Sequence, residues 1–302
     1  MISVLILTRN EEINLPACLA SVRWSDDIVV LDSFSTDRTV EIAKASGARV
    51  IQRTFDNWAA HQNWANENIR FKNAWVYYSD ADEIMMPELR DELLSVTQDM
   101  CRKQVAYRVR FKNIFMGKWI KHSSLYPTWV LRFFQPDKIR WEREVNPVPV
   151  VNGLIGRLTN HFEHYSFNKG ISAWFDKHNR YSDGEALEAM KALRSPDVRE
   201  RGSAVVNECD AVGHRPSVIV SGIDWRGLIA VRDPARRRKA LKELAWRLPC
   251  RAGLVFVYLY FVRMGFLDGV AGWRYCRMRA MYEYMIDLKI LELRRRKKGL
   301  PV

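Results

Sequence analysis

Polar and apolar residues alternate in blocks along the first third of the chain. Residues 2–7 (ISVLIL) form a short, nearly unbroken apolar run, and residues 28–31 (IVVL) and 75–78 (WVYY) form two more. Runs of this length, rich in β-branched and aromatic residues, predict strands buried on both faces. Between them lie segments with helical character, at about 14–22, 39–45 and 59–70. Asn14 is the expected N-cap of the first of these and Gly47 the expected C-cap of the second. Residues 48–52 (ARVIQ) add a short third strand. The order β-α-β-α-β-α-β predicts an α/β fold with a parallel sheet and right-handed crossovers. Further on, 105–111 (VAYRVRF) alternates as a strand and 129–134 (WVLRFF) reads as another.

Every early strand ends in polar chemistry. The first leads into Thr8, Arg9, Asn10, Glu11 and Glu12, the second ends at Asp32, and the fourth ends in Asp80-Ala81-Asp82-Glu83. In a parallel sheet these ends share one edge, where such sheets bind ligands. On continued strand geometry Asp80 and Asp82 would share a face. Two hard oxygen donors there suit Mg²⁺ or Mn²⁺, which take a carboxylate or two plus substrate phosphates. No Gly-x-Gly-x-x-Gly follows the first strand, which argues against a dinucleotide enzyme.

The charge is unevenly spread. The chain of 302 residues carries +13. Residues 236–298 hold 17 Lys and Arg against 5 Asp and Glu, leaving 31 against 30 for all the rest. A neutral body with a cationic, aromatic tail suits an anionic membrane surface better than a nucleic-acid groove. The longest apolar stretch, 252–262, has 11 residues between Arg251 and Arg263. That is too short to span a bilayer and of a length for an interfacial or re-entrant segment. Residues 2–7 are too short for a signal peptide and the charges follow them, so none is expected. The five cysteines are scattered, which argues for a reducing compartment without a disulfide framework or zinc site.

The runs ILTRNEE, VVLDSFSTDRTVEIA and SDADE, in this order and spacing, resemble the N-terminal half of family 2 glycosyltransferases of the GT-A fold. More narrowly, they resemble the lipopolysaccharide-core glucosyltransferase-like group. The likeness covers residues 2 to about 181 and resumes at 263–269 (RMGFLDG). It implies a Rossmann-like mixed sheet in which 1–104 forms the nucleotide-sugar half and 105–182 the acceptor half. A poorly matched segment, 183–235, and a helical tail, 236–302, would follow. By the same resemblance Thr8, Arg9, Asn10 and Glu11 would wrap the nucleotide together with Ser35. Asp32 would accept from the base, Asp80 and Ala81 would meet the ribose, and Asp82 would bind a Mn²⁺ or Mg²⁺ ion bridging the diphosphate. Asn63 falls at a donor-side polar position, where a helix-surface asparagine is the competing reading. Arg132 would steady the leaving diphosphate or be a solvent-facing strand residue. His164 would be a late metal or diphosphate ligand or a structural hydrogen-bonder.

One position departs from the group. Where its pattern has Val-His-Glu, this chain has Val145-Asn146-Pro147. An inverting transfer needs a carboxylate to take the acceptor proton, and Glu142 and Glu144 stand just upstream, each also able to pair with Arg140 or Arg143. The expectation is a metal-dependent, inverting glycosyltransferase on the cytoplasmic face of the inner membrane. It would move sugar from a nucleotide-diphosphate sugar, UDP-linked by preference, to a lipid-linked saccharide or lipopolysaccharide core. The rivals are transfer to polyprenyl phosphate, which needs no strong base, and a catalytically silent sugar-nucleotide-binding or scaffold protein.

Overall fold

All six residues of strand β1 (Ser3–Thr8) are buried, the mark of a strand covered on both faces. β1 pairs in parallel with β2 (Ile28–Asp32) on one side and β4 (Val76–Asp80) on the other, and β3 (Arg49–Gln52) lies beyond β2. The computed structural model describes residues 1–99, 101–142, 147–193 and 250–302. Among these, nine strands make one mixed sheet in the order β3-β2-β1-β4-β8-β6-β11-β5. Here β5 is Glu83–Met85, β6 Gln104–Phe115, β8 Thr128–Phe134 and β11 Leu154–His164, while β7 (Lys118–Trp119) folds back on β6. β8 is antiparallel to both β4 and β6, and β11 is parallel to β6. The C-terminal ends of β1, β2, β4, β6 and β11 therefore share one edge. β9 (Ile139–Glu142) and β10 (Val148–Val151) form a separate antiparallel pair.

Two apolar clusters sandwich the sheet. On one face Val4, Ile6, Tyr77, Phe133 and Phe162 pack with α1 (Leu15–Val22) and α4 (Pro87–Gln98) through Leu15, Leu19, Leu89 and Leu93. On the other, Leu5, Leu7, Leu31, Val76 and Leu131 meet Ala59 and Ala65 of α3 (Trp58–Asn68) and Trp141 of β9. The remaining helix of this half, α2, spans Thr39–Ala45. Gly47 ends α2 at φ +78°, its N–H donating to Lys44 O, as its position predicts. Asn14 does not cap α1. It is itself in the right-handed helical region and donates Nδ2–H to Glu11 instead, because the chain already turns through a backbone bond from Asn14 N to Glu11 O. The fourth strand stops at Asp80, a turn carries Ala81 and Asp82, and β5 begins at Glu83. Asp80 and Asp82 thus lie on a strand end and a turn, and continued strand geometry does not extend over both.

The described residues fall into two compact units. The first is Met1–Lys177 with Phe256–Met278, and the second is His178–Val255 with Arg279–Val302. The helical elements completing them are α5 (Gly170–Leu193), α6 (Arg251–Val257) and α7 (Gly269–Lys297), with a π-helical turn at Tyr258–Val262 and a 3₁₀ turn at Gly265–Asp268. In the first unit the glycines around the 3₁₀ turn set its packing. A Cβ on Gly272 would sit 2.3 Å from Gly265 O, and one on Gly265 would sit 2.6 Å from Leu259 O. This closeness brings Asp268 against the loop after β7, where it accepts from His122 N (3.0 Å), Ser123 N (2.8 Å) and Ser123 Oγ (2.7 Å). In the second unit Arg251 pairs with Glu283, and Lys289 reaches Asp183 at 2.6 Å and the Asn179 carbonyl at 2.6 Å. The basic run 236–239 and the apolar segment 217–223 lie outside the described residues.

Candidate active site

The loop after β1 and the loop after β2 are laced into one surface. Asn10 takes a left-handed conformation (φ 55°), which asparagine tolerates better than most side chains. Its N–H donates to Ser35 Oγ at 2.8 Å, and its Oδ1 accepts from Thr36 N at 2.8 Å. Glu11 N donates to Thr39 Oγ1 at 2.7 Å. The Glu11 carboxylate pairs with Lys169. Burial lifts its pKa against the pull of that lysine. Below this surface Asp32 is wholly buried. It accepts from Thr8 Oγ1 (3.0 Å), Ser35 N (2.9 Å), Ser35 Oγ and Gln52 Nε2 (3.1 Å). Four donors match the lone-pair capacity of a carboxylate, so Asp32 holds both loops in register.

At the end of β4 the acidic run divides. Asp80 accepts from Tyr78 OH at 2.7 Å and pairs with Arg132 at 2.5 Å. Glu83 is buried and pairs with the same Arg132 nitrogen. Burial pushes the Glu83 carboxyl up to about 8, with Arg132 opposing and Asp80 reinforcing the rise. Arg132 reaches this position through a β-bulge. In β8, Phe133 pairs with Tyr107 and Leu131 with Arg108, so Arg132 is the unpaired extra residue. A bulge re-aims the side chain it carries, and this guanidinium lies over the Tyr78 ring, 4.4 Å from its centroid. Arg132 is thus a buried clamp on two carboxylates, neither a solvent-facing strand arginine nor free of protein partners.

Asp82 goes the other way. Its Oδ2 lies 3.3 Å from His164 Nε2, and His164 Nδ1 meets Asn113 Oδ1 at 3.0 Å. Asn113 therefore keeps a proton on Nδ1 and turns Nε2 towards Asp82, the arrangement that orients a metal-ligating histidine. Burial would raise Asp82, but His164, Lys177 and Arg132 outweigh it and hold the carboxyl well below the usual range. Burial would likewise lower His164, but Asp82, then Glu83 and Asp80, raise it. Each group favours the charged form of the other, and a divalent cation could take the place of the Nε2 proton. Among the described residues no group of three or more His, Cys, Asp or Glu side chains is arranged to hold a metal. Two protein ligands with the remainder from substrate phosphates is a normal set for Mg²⁺ or Mn²⁺.

The other expected residues lie elsewhere. Asn63 exchanges hydrogen bonds with the Trp141 backbone, Nδ2 donating at 2.8 Å and Oδ1 accepting at 2.7 Å, which ties α3 to β9. Glu142 is exposed at the end of β9 and Glu144 lies outside the described residues. Arg9 is exposed on the first loop and Ala81 is buried in the turn between the two aspartates. Sequence reasoning passed over Glu83, the third member of the acidic run. It did not single out Asn113.

A model of glycosyl transferase family 2 matches residues 3–159, more than half of the chain. The chain belongs to that family. An uncharacterised glycosyltransferase of Rickettsia typhi is 35% identical over 205 residues, 63% of this chain and 68% of the relative. One of Rickettsia conorii is 34% identical over 209 residues, 63% and 71% of the two chains. A mannosyltransferase of Pyrobaculum calidifontis, solved with GDP-mannose and Mn²⁺, shares the fold at a TM-score of 0.51 and 15% identity, over 96% of this chain and 86% of that one. The family 2 sheet is thus a mixed α/β sheet, mostly parallel across its first half, consistent with the GT-A fold. The polar loops and carboxylates described above sit at its C-terminal edge.

Proposed function

We propose that this family 2 enzyme transfers a hexose, with inversion, from a nucleotide-diphosphate sugar, UDP-linked, to a lipid-linked saccharide or lipopolysaccharide-core acceptor. One observation carries the reading: at a single sheet edge, in a family 2 domain, Asp82 and an Asn113-oriented His164 stand beside a clamped Asp80. Asp82 and His164 would hold a Mn²⁺ or Mg²⁺ ion, which when bound neutralises charge on the leaving diphosphate. Arg132 fixes Asp80 for the donor's ribose, and its positive charge adds to the field on the diphosphate. Thr8, Arg9, Asn10, Glu11 and Ser35 frame the nucleotide over Asp32. Glu142 or Glu144 would take the acceptor proton, and loss of turnover in the double glutamine variant would separate this from transfer to a phosphate acceptor.

The enzyme would work at the cytoplasmic face of the inner membrane. Supporting this, the turn region of the first unit leaves Phe261, Val262, Val270 and Trp273 exposed, with Val262 and Val270 each 66% accessible. Arg263, Arg274 and Arg277 flank them in sequence. No described helix is long and apolar enough to cross a membrane. The stretches Arg251–Val262 and Gly265–Lys297 pass only as a pair bent by 74°. Aromatic and aliphatic residues edged by arginines suit the headgroup boundary.

The test is thermal stability with UDP, GDP and TDP, each with and without Mn²⁺, on wild type and on Asp82→Ala and His164→Ala. Stabilisation by UDP that needs Mn²⁺ and is lost in both variants is expected. No shift with any nucleotide would sink the reading and favour a silent scaffold.

A further inference from the structure

The outer half of the sheet carries more cations than carboxylates, and these cations form no ion pair among the described residues. Arg108, Arg110 and Lys112 alternate along β6 and so project from one face. In the paired strands, Arg157 stands beside Arg108 and Trp129 beside Arg110. None of these cations forms an ion pair among the described residues; Arg110 donates to the Thr159 carbonyl. Glu163 is level with Lys112, yet its carboxylate accepts from Tyr165 OH at 2.7 Å. Glu92 is taken up by the backbone of Thr159 and Asn160.

Aromatic rings are interleaved with the charges. Arg110 lies 5.8 Å from the Tyr126 ring centroid and 5.9 Å from that of Trp129, which Arg157 also faces at 5.4 Å. Lys112 and Lys121 lie 4.6 and 5.6 Å from Trp119, and Trp119 meets Tyr126 edge-on at 5.1 Å. Half-exposed rings offer flat apolar faces, and guanidinium forks match the paired oxygens of phosphate or carboxylate. Five residues of strand, from Arg108 to Lys112, carry the strip for about 13 Å. The strip runs towards the C-terminal end of β6, the sheet edge at which Asn113 orients His164 from the opposite face.

We propose that this strip is the acceptor-recognition surface and that the acceptor is a phosphorylated saccharide. Its sugar rings lie against Trp119, Tyr126 and Trp129, and its phosphates are held by Arg110, Lys112 and Arg157. The proposal rests on the glycosyltransferase reading above. It adds that an anionic group on the acceptor is what the enzyme selects. Like charges crowded on one face raise its energy, and an anion relieves it.

The experiment titrates full-length protein, by calorimetry, with a phosphorylated lipopolysaccharide-core oligosaccharide freed of its lipid, and with the same oligosaccharide after phosphatase treatment. Wild type is expected to bind the phosphorylated form at least about tenfold more tightly, a gap of about 1.4 kcal/mol, and to lose the difference as salt rises. Arg110→Ala/Arg157→Ala should abolish the preference, and Arg110→Lys/Arg157→Lys should keep part of it. Thermal unfolding and UDP–Mn²⁺ stabilisation of each variant check that fold and donor site are intact. Binding needs no turnover. A wild type that fails to bind UDP would therefore defeat the donor reading and leave this test standing. Equal affinity for both saccharide forms, or wild-type affinity in the alanine variant, would overturn the proposal. So would preferential binding to phosphatidylglycerol vesicles that the alanine variant loses, since the face would then be a membrane contact.

Discussion

Arg132 shows how one residue's placement decides its chemistry. Its side chain is buried between Asp80 and Glu83, so removing its charge leaves both carboxyl groups without their cation. Breaking a buried pair in this way costs about 3–5 kcal/mol. Arg132→Met should lose that much in urea unfolding, and Arg132→Lys should recover part of it. His61 gives another expectation at this scale. Its Nδ1 accepts from Arg53 at 2.8 Å and its Nε2 faces Ser33 Oγ at 3.5 Å. Burial, then the Arg53 charge, pushes it down to about 4. An imidazole held neutral in the fold adds stability that is present above its ordinary pKa of about 6.5 and is lost as pH falls towards about 4. The effect is up to about 3 kcal/mol. Denaturation midpoints between pH 7 and pH 4 should fall less steeply in His61→Gln than in wild type.

At the scale of elements, the Gly265–Asp268 turn acts as a buckle on the loop that carries Trp119, Lys121 and Tyr126. Asp268 takes three hydrogen bonds there while 3% exposed. Asp268→Ala orphans two backbone N–H groups and should cost about 3 kcal/mol in thermal unfolding. It should weaken saccharide binding more than UDP–Mn²⁺ binding. Elements of this kind divide what was legible in the sequence from what was not. Strands β1, β2 and β4 were readable because strands covered on both faces leave continuous apolar runs, and their polar ends located the site edge. β5 was hidden because three residues inside an acidic run carry no period. The Arg132 bulge was hidden because register is set by the partner strand, which local pattern does not encode. Asn63 and Asp268 show the converse. Asn63 has the sequence position of a site residue and instead ties a helix to a strand. Asp268 belongs to a family motif, but its packing follows from the close approach of Gly265 and Gly272, which no linear pattern reveals. Glu83 could have been found from the sequence, as a third carboxylate after two others must either be exposed or meet a cation.

For the whole molecule, charge and apolar surface are unequally spread. The body, with 31 basic against 30 acidic residues outside 236–298, has no bulk attraction to anionic surfaces. Under the proposed membrane reading, attachment depends on the aromatic turns and the basic tail. Burying Phe261 and Val262 in the headgroup boundary contributes about 1.5–3 kcal/mol each. Phe261→Ser/Val262→Ser should therefore reduce co-flotation with phosphatidylglycerol vesicles at least about tenfold, while donor binding stays as in wild type. Unchanged flotation would count against these turns as the contact. The Asp268 buckle also bears on how the chain can be shortened. A protein trimmed before residue 256 to rid it of its greasy end would lose the clasp on its own sugar-recognition loop. It would be soluble and still take up donor, yet be blind to its acceptor. A cut after Met278 would spare that clasp together with Phe261 and Val262, so comparing the two lengths would show whether residues 256–278 complete the acceptor site while the basic end beyond them is dispensable for it.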